Sequence, residues 1–525
     1  MKKRKARILV SFLAVLLVSV SACKNPFLKK MLVEETGESS AVPAPKHTVS
    51  FSVEGAGGTL KAKADGIEKT AKSPISIEQG KKVTFTAEPA AGYIIKEWKV
   101  DGAVITGNTE NSYIHTVTKA VDVKVSFDAP FVEGGASLIL SPDKLTIRVK
   151  AVTSDGSAVA VEGCTETTLP SGAQTVLHAT STRVILKGKI IKLSCSYNQL
   201  TALNVQGLTA LERLECERNQ LTTLNVQGLT ALQELSCNGN QLTELNVQGC
   251  TALQELHCEY NQLTALNVQG CTALKWLLCG GNQLTALNVQ GCTVLEGLFC
   301  DGNQLTALNV QGLSALESLS CDNNRLTAFN VQGLTALQEL SCNGNQLTEL
   351  NVQGLTALKK LSCGGNQLTA LNVQGLTALQ GLSCHGNQLT ALNVQGLSTL
   401  RSLSCGGNQL TAPNVQGLSA LGLLYCGNNQ LTTLNVQGLT ALRTLRCYNN
   451  KLTAQAFTKL FDDLPVRQDS DNGECILYTE ESGVSEGNHT DFTAPPDLAA
   501  AFNNAKNNKK WKMYKWNGSW PGVEI

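Results

Sequence analysis

The chain is poor in charged and aromatic residues. Only 16% of its 525 residues are charged and only 5% are aromatic, against roughly 25% charged residues in an average soluble domain. Its 46 glycines and 13 prolines are too few for a collagen or a disordered chain. The net charge of +1 provides no global field that would hold a polyanion. Nucleic acid is therefore excluded as a first choice of partner.

Catalytic and metal-binding motifs are also missing. The sequence contains no HExxH, no phosphate-binding loop and no CxxC pair. Its six histidines are scattered along the chain, at positions 47, 115, 178, 257, 385 and 489. No nucleophile and base are placed by spacing to meet each other, so we predict neither an enzyme, nor a metal site, nor a cofactor.

The N-terminus has the pattern of a secretory signal. A cluster of Lys and Arg precedes an apolar run from Ile8 to Val20, which is too short to span a membrane. Val20-Ser21-Ala22-Cys23 resembles a bacterial lipobox, in which the cysteine becomes the lipidated first residue. Residues 1–23 are predicted to be a lipoprotein signal peptide, and 24–46 a tether. The alternative is an ordinary signal peptide that happens to meet a cysteine.

The residue after Cys23 indicates which membrane would hold the lipid anchor. Lys24 stands where Asp would retain a lipoprotein in the inner membrane. The lipobox resemblance therefore implies an envelope protein anchored in the outer membrane and exposed at the cell surface.

Residues 47–128 alternate between apolar and polar side chains, with Gly-rich turns, which predicts a small β domain. The stretch Gln79–Phe85, the pair Gly92-Tyr93 and Trp98 resemble the bacterial InlB B-type repeat, a module of surface proteins. That resemblance implies a stalk or auxiliary domain without chemistry of its own.

A repeat of 21 residues dominates the middle of the chain. Thirteen cysteines follow one another at this spacing from Cys195 to Cys447. One unit, Leu232–Leu242, has the pattern LxxLxCxxNxL, which resembles the leucine-rich repeat with Cys in place of a Leu. We assign residues 190–453 to 13 turns, with an N-terminal cap at 129–189 and a C-terminal cap at 454–525.

The repeat predicts the fold class. Side chains alternate along a strand, so Leu235 and Cys237 point inward and Ser236 points outward. We therefore predict a mainly parallel β-solenoid with a small N-terminal β-rich domain and an α+β C-terminal cap. Twelve steps of about 4.8 Å would make its sheet roughly 58 Å long.

The cysteine and asparagine columns are predicted to be structural. Free cysteine packs as a small hydrophobe, and neighbouring parallel strands are poorly placed for disulfides. The amide in each turn, such as that of Asn240, can satisfy backbone groups that a tight coil leaves unpaired.

The outward position in the middle of each strand varies more than the core positions do. Serine predominates there, with two interruptions. The first, with its neighbours, comprises His257, Tyr260, Trp276, Leu278 and Phe299. The second comprises Leu423, Tyr425, Arg446 and Tyr448. Exposed aromatics with an Arg are typical of protein-binding hot spots. The alternatives are drift in a duplicated array and cover by a cap; Tyr448 in particular is a candidate for packing on the C-terminal cap.

The chain as a whole resembles the leucine-rich-repeat surface lipoproteins of host-associated bacteria and spirochaetes. This resemblance implies adhesion to a protein or glycan ligand on host cells, extracellular matrix or other bacteria. No ligand-contacting residue carries over from the family, so the binding residues rest on the physical argument alone. The alternatives are a periplasm-facing scaffold lipoprotein with a bacterial protein partner and, more weakly, an immune decoy.

Overall fold

The computed structural model describes five stretches of the chain: 44–64, 72–90, 93–471, 473–519 and 522–525. They divide into two compact units. The first unit consists of the described parts of Met1–Phe51, Lys61–Phe85 and Ser112–Val123, and the second of the described remainder. The predicted signal peptide with Cys23, and most of the predicted tether, lie outside the described residues.

Eight strands cover the N-terminal β region, in agreement with its period-two pattern. They are β1 Lys46–Glu54, β2 Gly58–Ala64, β3 Ile75–Glu78, β4 Lys82–Pro89, β5 Ile94–Val100, β6 Ala103–Val104, β7 Ser112–Thr116 and β8 Val121–Asp128. In the first unit, β1 pairs antiparallel with β3. The buried rings of Phe51 and Phe85 meet edge to face, with centroids 5.8 Å apart. In the second unit, β5 and β6 form a hairpin.

The next segment covers the first turn of the solenoid on two sides. Its strands are β9 Gly135–Leu140, β10 Thr146–Thr153, β11 Val159–Glu162, β12 Thr168–Leu169, β13 Gln174–His178 and β14 Arg183–Lys187. Strand β10 pairs antiparallel with β15 (Ile190–Ser194), and β9 pairs antiparallel with β16 (Leu200–Asn204). The apolar end of the array is thereby shielded from water, as a solenoid requires.

Twelve short parallel strands follow β15 in the same sheet. They are β17 Arg213–Glu215, β18 Glu234–Ser236, β19 Glu255–His257, β20 Trp276–Leu278, β21 Gly297–Phe299, β22 Ser318–Ser320, β23 Glu339–Ser341, β24 Lys360–Ser362, β25 Gly381–Ser383, β26 Ser402–Ser404, β27 Leu423–Tyr425 and β28 Thr444–Arg446. Their register never slips, because each residue pairs with the residue 21 positions later.

The core runs continuously through the array. In one turn Leu235 and Cys237 are fully buried, whereas Ser236 between them is half-exposed on the concave face. Leu242 and Val247 complete the buried set of that turn. Each buried Leu or Val stabilises the fold by about 1.5–3 kcal/mol relative to its exposed state. The predicted fold class is confirmed.

The asparagine column forms a hydrogen-bonded ladder inside the coil. Asn240 Nδ2 donates to Cys216 O and to Cys237 O, each at 3.0 Å. Its Oδ1 accepts from Leu221 N at 3.0 Å. Each amide therefore satisfies the backbone of its own turn and of the preceding one.

The C-terminal cap continues the concave sheet. It contains α1 Ala454–Asp463, a short 3₁₀ turn at Asp469–Asp471, β29 Gly473–Thr479, α2 Pro496–Asn507, β30 Trp511–Trp516 and β31 Val523–Glu524. Strands β28, β29 and β30 are parallel, and β31 closes the edge antiparallel. The Thr453 side chain caps α1 by accepting from Ala456 N at 3.2 Å. This segment is α+β, as predicted.

Both caps also engage the asparagine ladder. At the first end, Asn198 Oδ1 accepts from Arg148 N at 2.9 Å. At the other end, Asn488 Nδ2 donates to Cys447 O at 2.9 Å, and its Oδ1 accepts from Leu452 N at 2.9 Å. Asn488 thus makes the bonds of a fourteenth rung, although it stands outside the 21-residue spacing.

Candidate binding surface on the concave face

We call the first interruption of the serine stripe, together with its neighbours, the aromatic patch: His257, Tyr260, Trp276, Leu278 and Phe299. Register places His257 beside Leu278, and Leu278 beside Phe299, on adjacent strands. All three side chains are partly exposed on the concave face. The structure therefore brings together residues that are 42 positions apart in sequence.

Trp276 and Phe299 form the floor of the patch. Their rings are stacked, with centroids 6.3 Å apart and planes 12° apart. Trp276 lies in register with Gly297, and a Cβ at Gly297 would come within 2.3 Å of the Trp276 ring. Gly297 therefore lets the indole lie across the next strand and reach Phe299. Sequence analysis missed Gly297; its only signal is a glycine one period after a tryptophan.

Tyr260 forms one rim of the patch. Its side chain is 70% exposed, and its backbone has a positive φ of 53°. Most other turns have Gly or Asn at this position. A Cβ on Gly281 would come within 2.7 Å of the Tyr260 ring, so the phenol lies along the edge of the next turn.

Two carboxylates line the same rim, and sequence analysis missed both. Glu259 and Asp301 occupy equivalent positions two turns apart, with Gly280 between them. Asp301 Oδ2 lies 3.0 Å from the place where a Gly280 Cβ would stand, so it occupies part of the space that the glycine leaves. Glu259 Oε2 is buried and has no hydrogen-bond partner. Desolvation raises the pKa of Glu259, and the nearby Asp301 adds to this effect.

The second interruption lies at the end of the array. We call Tyr425, Arg446 and Tyr448 the C-terminal cluster. The Arg446 guanidinium sits over the Tyr425 ring, with Cζ 4.3 Å from its centroid. Tyr448 stacks on Trp516 of the cap, with centroids 6.1 Å apart and planes 13° apart. Tyr448 is therefore committed in part to the cap, and Leu423 lies half-buried on β27.

The structure does not join the two surfaces. Six strand steps separate Phe299 from Tyr425 in the same column, which corresponds to about 29 Å. The serine stripe lies between them, and part of it is occupied by contacts within the protein. Ser341 Oγ donates to Asp322 at 2.8 Å, and Ser383 Oγ lies 2.9 Å from His385 Nδ1. The aromatic patch and the C-terminal cluster are two separate surfaces.

The cysteines provide no reactive or metal-binding centre within the part of the chain that the structure describes. All 18 described cysteines are free, and all except Cys164 are buried. Burial raises the pKa of the Cys342 thiol to about 12, and that of Cys164 to about 11. No group of three or more His, Cys, Asp or Glu side chains in the described stretches is arranged to hold a metal ion. The described residues also contain no helix long and apolar enough to cross a bilayer.

Comparison with known proteins recognises both parts of the chain. Residues 50–130 match the family model of the divergent InlB B-repeat domain. No curated protein matches the chain significantly. A leucine-rich-repeat protein of Leptospira interrogans is similar in structure, with a TM-score of 0.51 and 25% identity over 61% of this chain and 82% of that one.

Two further solved structures are similar over the array. The functional domain of InlJ from Listeria monocytogenes, which includes a cysteine ladder, has 28% identity and a TM-score of 0.43, with 58% of this chain and 77% of that chain covered. YopM from Yersinia enterocolitica has 22% identity and a TM-score of 0.45, with 52% and 57% covered.

These findings define the architecture and the general class of function. Solenoids of this kind present an extended concave surface to their partners. The fold accordingly supports protein–protein interaction. The chain combines a segment that matches the divergent InlB B-repeat family with a leucine-rich-repeat solenoid that carries a cysteine ladder.

Proposed function

We propose that the protein is a surface-exposed, lipid-anchored adhesin whose aromatic patch binds a protein on host cells, extracellular matrix or other bacteria. The observation that carries this proposal is the stacked pair of Trp276 and Phe299 on the concave face. Aromatic clusters of this kind supply much of the affinity of protein interfaces. A contiguous exposed apolar surface on a soluble domain typically marks an interaction site.

The patch is organised before any partner arrives. Trp276 is held between its register neighbours and the Phe299 ring, and Tyr260 rests on the edge of the next turn. A binding surface whose side chains are already ordered loses less conformational entropy on association. This favours binding over drift as the explanation of the interrupted serine stripe.

The double variant Trp276→Ala with Phe299→Ala tests the binding assignment. Binding of the purified full chain to epithelial cells and to immobilised matrix proteins should weaken at least tenfold, while thermal unfolding should stay cooperative. The matched control is Tyr425→Ala in the C-terminal cluster, which should retain binding. Full binding by the double variant would remove the aromatic patch as the site.

The anchor and the location are tested separately. Protease treatment of intact cells should remove the solenoid, and Cys23→Ser should prevent incorporation of labelled fatty acid. Digestion only after lysis would instead indicate the periplasm-facing scaffold, with a bacterial protein as partner. That result would contradict the adhesin role.

A further inference from the structure

The aromatic patch differs from the C-terminal cluster in its charge. At the C-terminal cluster the array supplies its own cation, because Arg446 lies over the Tyr425 ring. Within the described stretches, the rings of Trp276 and Phe299 have no such lysine or arginine over them. The face of an aromatic ring attracts a cation, and an indole does so best. The patch therefore offers a site for a cation that the chain itself leaves open.

The charges around the patch have the sign that suits a cation. Glu259 and Asp301 flank it on one edge of the sheet, and Glu255 lies in register beside Trp276 on the other. Glu255 Oε2 lies 3.7 Å from His257 Nε2. Among the described residues, neither Glu259 nor Asp301 forms an ion pair with a lysine or arginine.

The lysine next to Trp276 in the sequence is engaged elsewhere. Lys275 precedes Trp276 in the sequence, but its Nζ pairs with Glu296 Oε1 at 3.2 Å. Glu259 Oε2 is buried and accepts no hydrogen bond from the described residues.

We propose that the occupant of the aromatic patch is a basic segment of the partner protein. A lysine or arginine of that segment lies over the Trp276–Phe299 pair, and its charge is balanced by Glu259 and Asp301. This proposal rests on the proposed function and specifies the chemistry of the partner. Acidic segments and nucleic acids are disfavoured at this site, because carboxylates flank both of its edges.

The test uses the purified full chain and three synthetic peptides. Each is a Gly-Ser peptide with one leucine flanked by four variable positions: lysine, acetyl-lysine or glutamate. Binding is measured by fluorescence anisotropy at low and at physiological salt. The lysine peptide should bind at least tenfold more tightly than its acetylated form, because acetylation removes the charge. The glutamate peptide should not bind, and salt should weaken the lysine complex.

Variants identify the carboxylates that attract the lysine peptide. The pair Glu259→Gln with Asp301→Asn should weaken lysine-peptide binding at least tenfold. The control is Glu217→Gln, since Glu217 has the same place in its turn and also has a buried oxygen without a partner, but lies two turns before Glu259. Equal loss in that control would overturn the proposal by showing a diffuse effect of acidic charge.

The outcomes distinguish the basic-segment proposal from the proposed adhesin function on which it rests. If the lysine and acetyl-lysine peptides bind alike, the basic-segment proposal is wrong, whatever the variants do. If the aromatic double variant loses matrix and cell binding while the Glu259 and Asp301 variants keep it, the patch remains the binding site and its charge preference is wrong. Unchanged matrix and cell binding by the aromatic variant would instead overturn the proposed function.

Discussion

At the scale of single residues, the cysteines act as core side chains. Cys321 is fully buried, and its carbonyl accepts from the Asn345 amide at 3.0 Å. Burial raises the pKa of its thiol well above the usual value. The thiol is thus kept protonated and apolar in character, which suits a site where other leucine-rich repeats carry Leu.

Cys321→Ser should therefore destabilise the chain. A buried hydroxyl without a partner costs about 1–3 kcal/mol, and thermal or urea unfolding measures that loss. Cys164→Ser is the matched control, because Cys164 is partly exposed in the cap; its effect should stay within about 0.5 kcal/mol. An unchanged melting temperature in Cys321→Ser would contradict the core assignment.

Glu259 should make the protein less stable as the pH rises. Its pKa is raised in the folded state by desolvation and by Asp301, and His257 opposes the shift. The folded state therefore binds the proton more tightly, and stability falls as the pH rises through the interval between the unfolded and folded pKa values. Glu259→Gln should be more stable than the parent at pH 7, by less than about 1 kcal/mol after solvent screening.

The pH dependence supplies the check on this prediction. The advantage of Glu259→Gln should vanish below about pH 4, where the carboxyl is protonated in both states. Melting temperatures of the parent and the variant, measured from pH 4 to pH 8, test this expectation. A variant that is less stable than the parent at neutral pH would mean that the carboxylate has a partner in solution.

At the scale of elements, the asparagine ladder joins each turn to its neighbour. Every rung bonds two turns, so the last rung needs an amide from outside the array. Asn488 provides it by donating to Cys447 O and Leu477 O, at 2.9 and 2.8 Å. The C-terminal cap therefore completes the hydrogen bonding of the last repeat and covers its apolar end.

Asn488→Ala should loosen the C-terminal end of the solenoid. Loss of this amide leaves buried backbone groups unpaired, at a cost of about 1–3 kcal/mol. Hydrogen exchange should accelerate around Leu452 and Leu477 and remain unchanged near Cys237. Asn517→Ala, on an exposed turn, is the control. Uniform acceleration along the array would mean that the cap is not a local unit.

At the scale of the whole molecule, the solenoid is a row of nearly identical turns between two caps. Each turn contacts only its neighbours, so stability propagates along the row. The buried thiols report on this state, because thiol reagents attack the exposed thiolate. Burial raises the pKa of Cys405 to about 12 and that of Cys250 to about 11.

The folded chain should therefore react slowly with a thiol reagent at pH 8. Denaturant should expose the ladder cysteines to the reagent in one transition, which should coincide with loss of secondary structure. Mass spectrometry of partly labelled chains should show ladder cysteines labelled together, with Cys164 ahead of them. Rapid labelling of one internal rung under native conditions would indicate a local opening of the array.

The repeat by itself determined the fold of the array. A strict 21-residue period with Leu and Cys on one face leaves one economical way to bury both, which is to stack the turns in register. The alternation along each strand also decided which side chains project outward, and so identified His257, Leu278 and Phe299 as neighbours. These features depend on local geometry repeated many times, which sequence expresses directly.

Other features were decided by tertiary structure alone. The indole of Trp276 reaches Phe299 because Gly297 leaves space on the next strand, and Glu259 Oε2 is buried without a hydrogen-bond partner. Asn488 joins the ladder only after α1 and β29 have folded back onto the last turn. Each depends on how non-adjacent side chains share space, and the spacing of residues along the chain does not encode it.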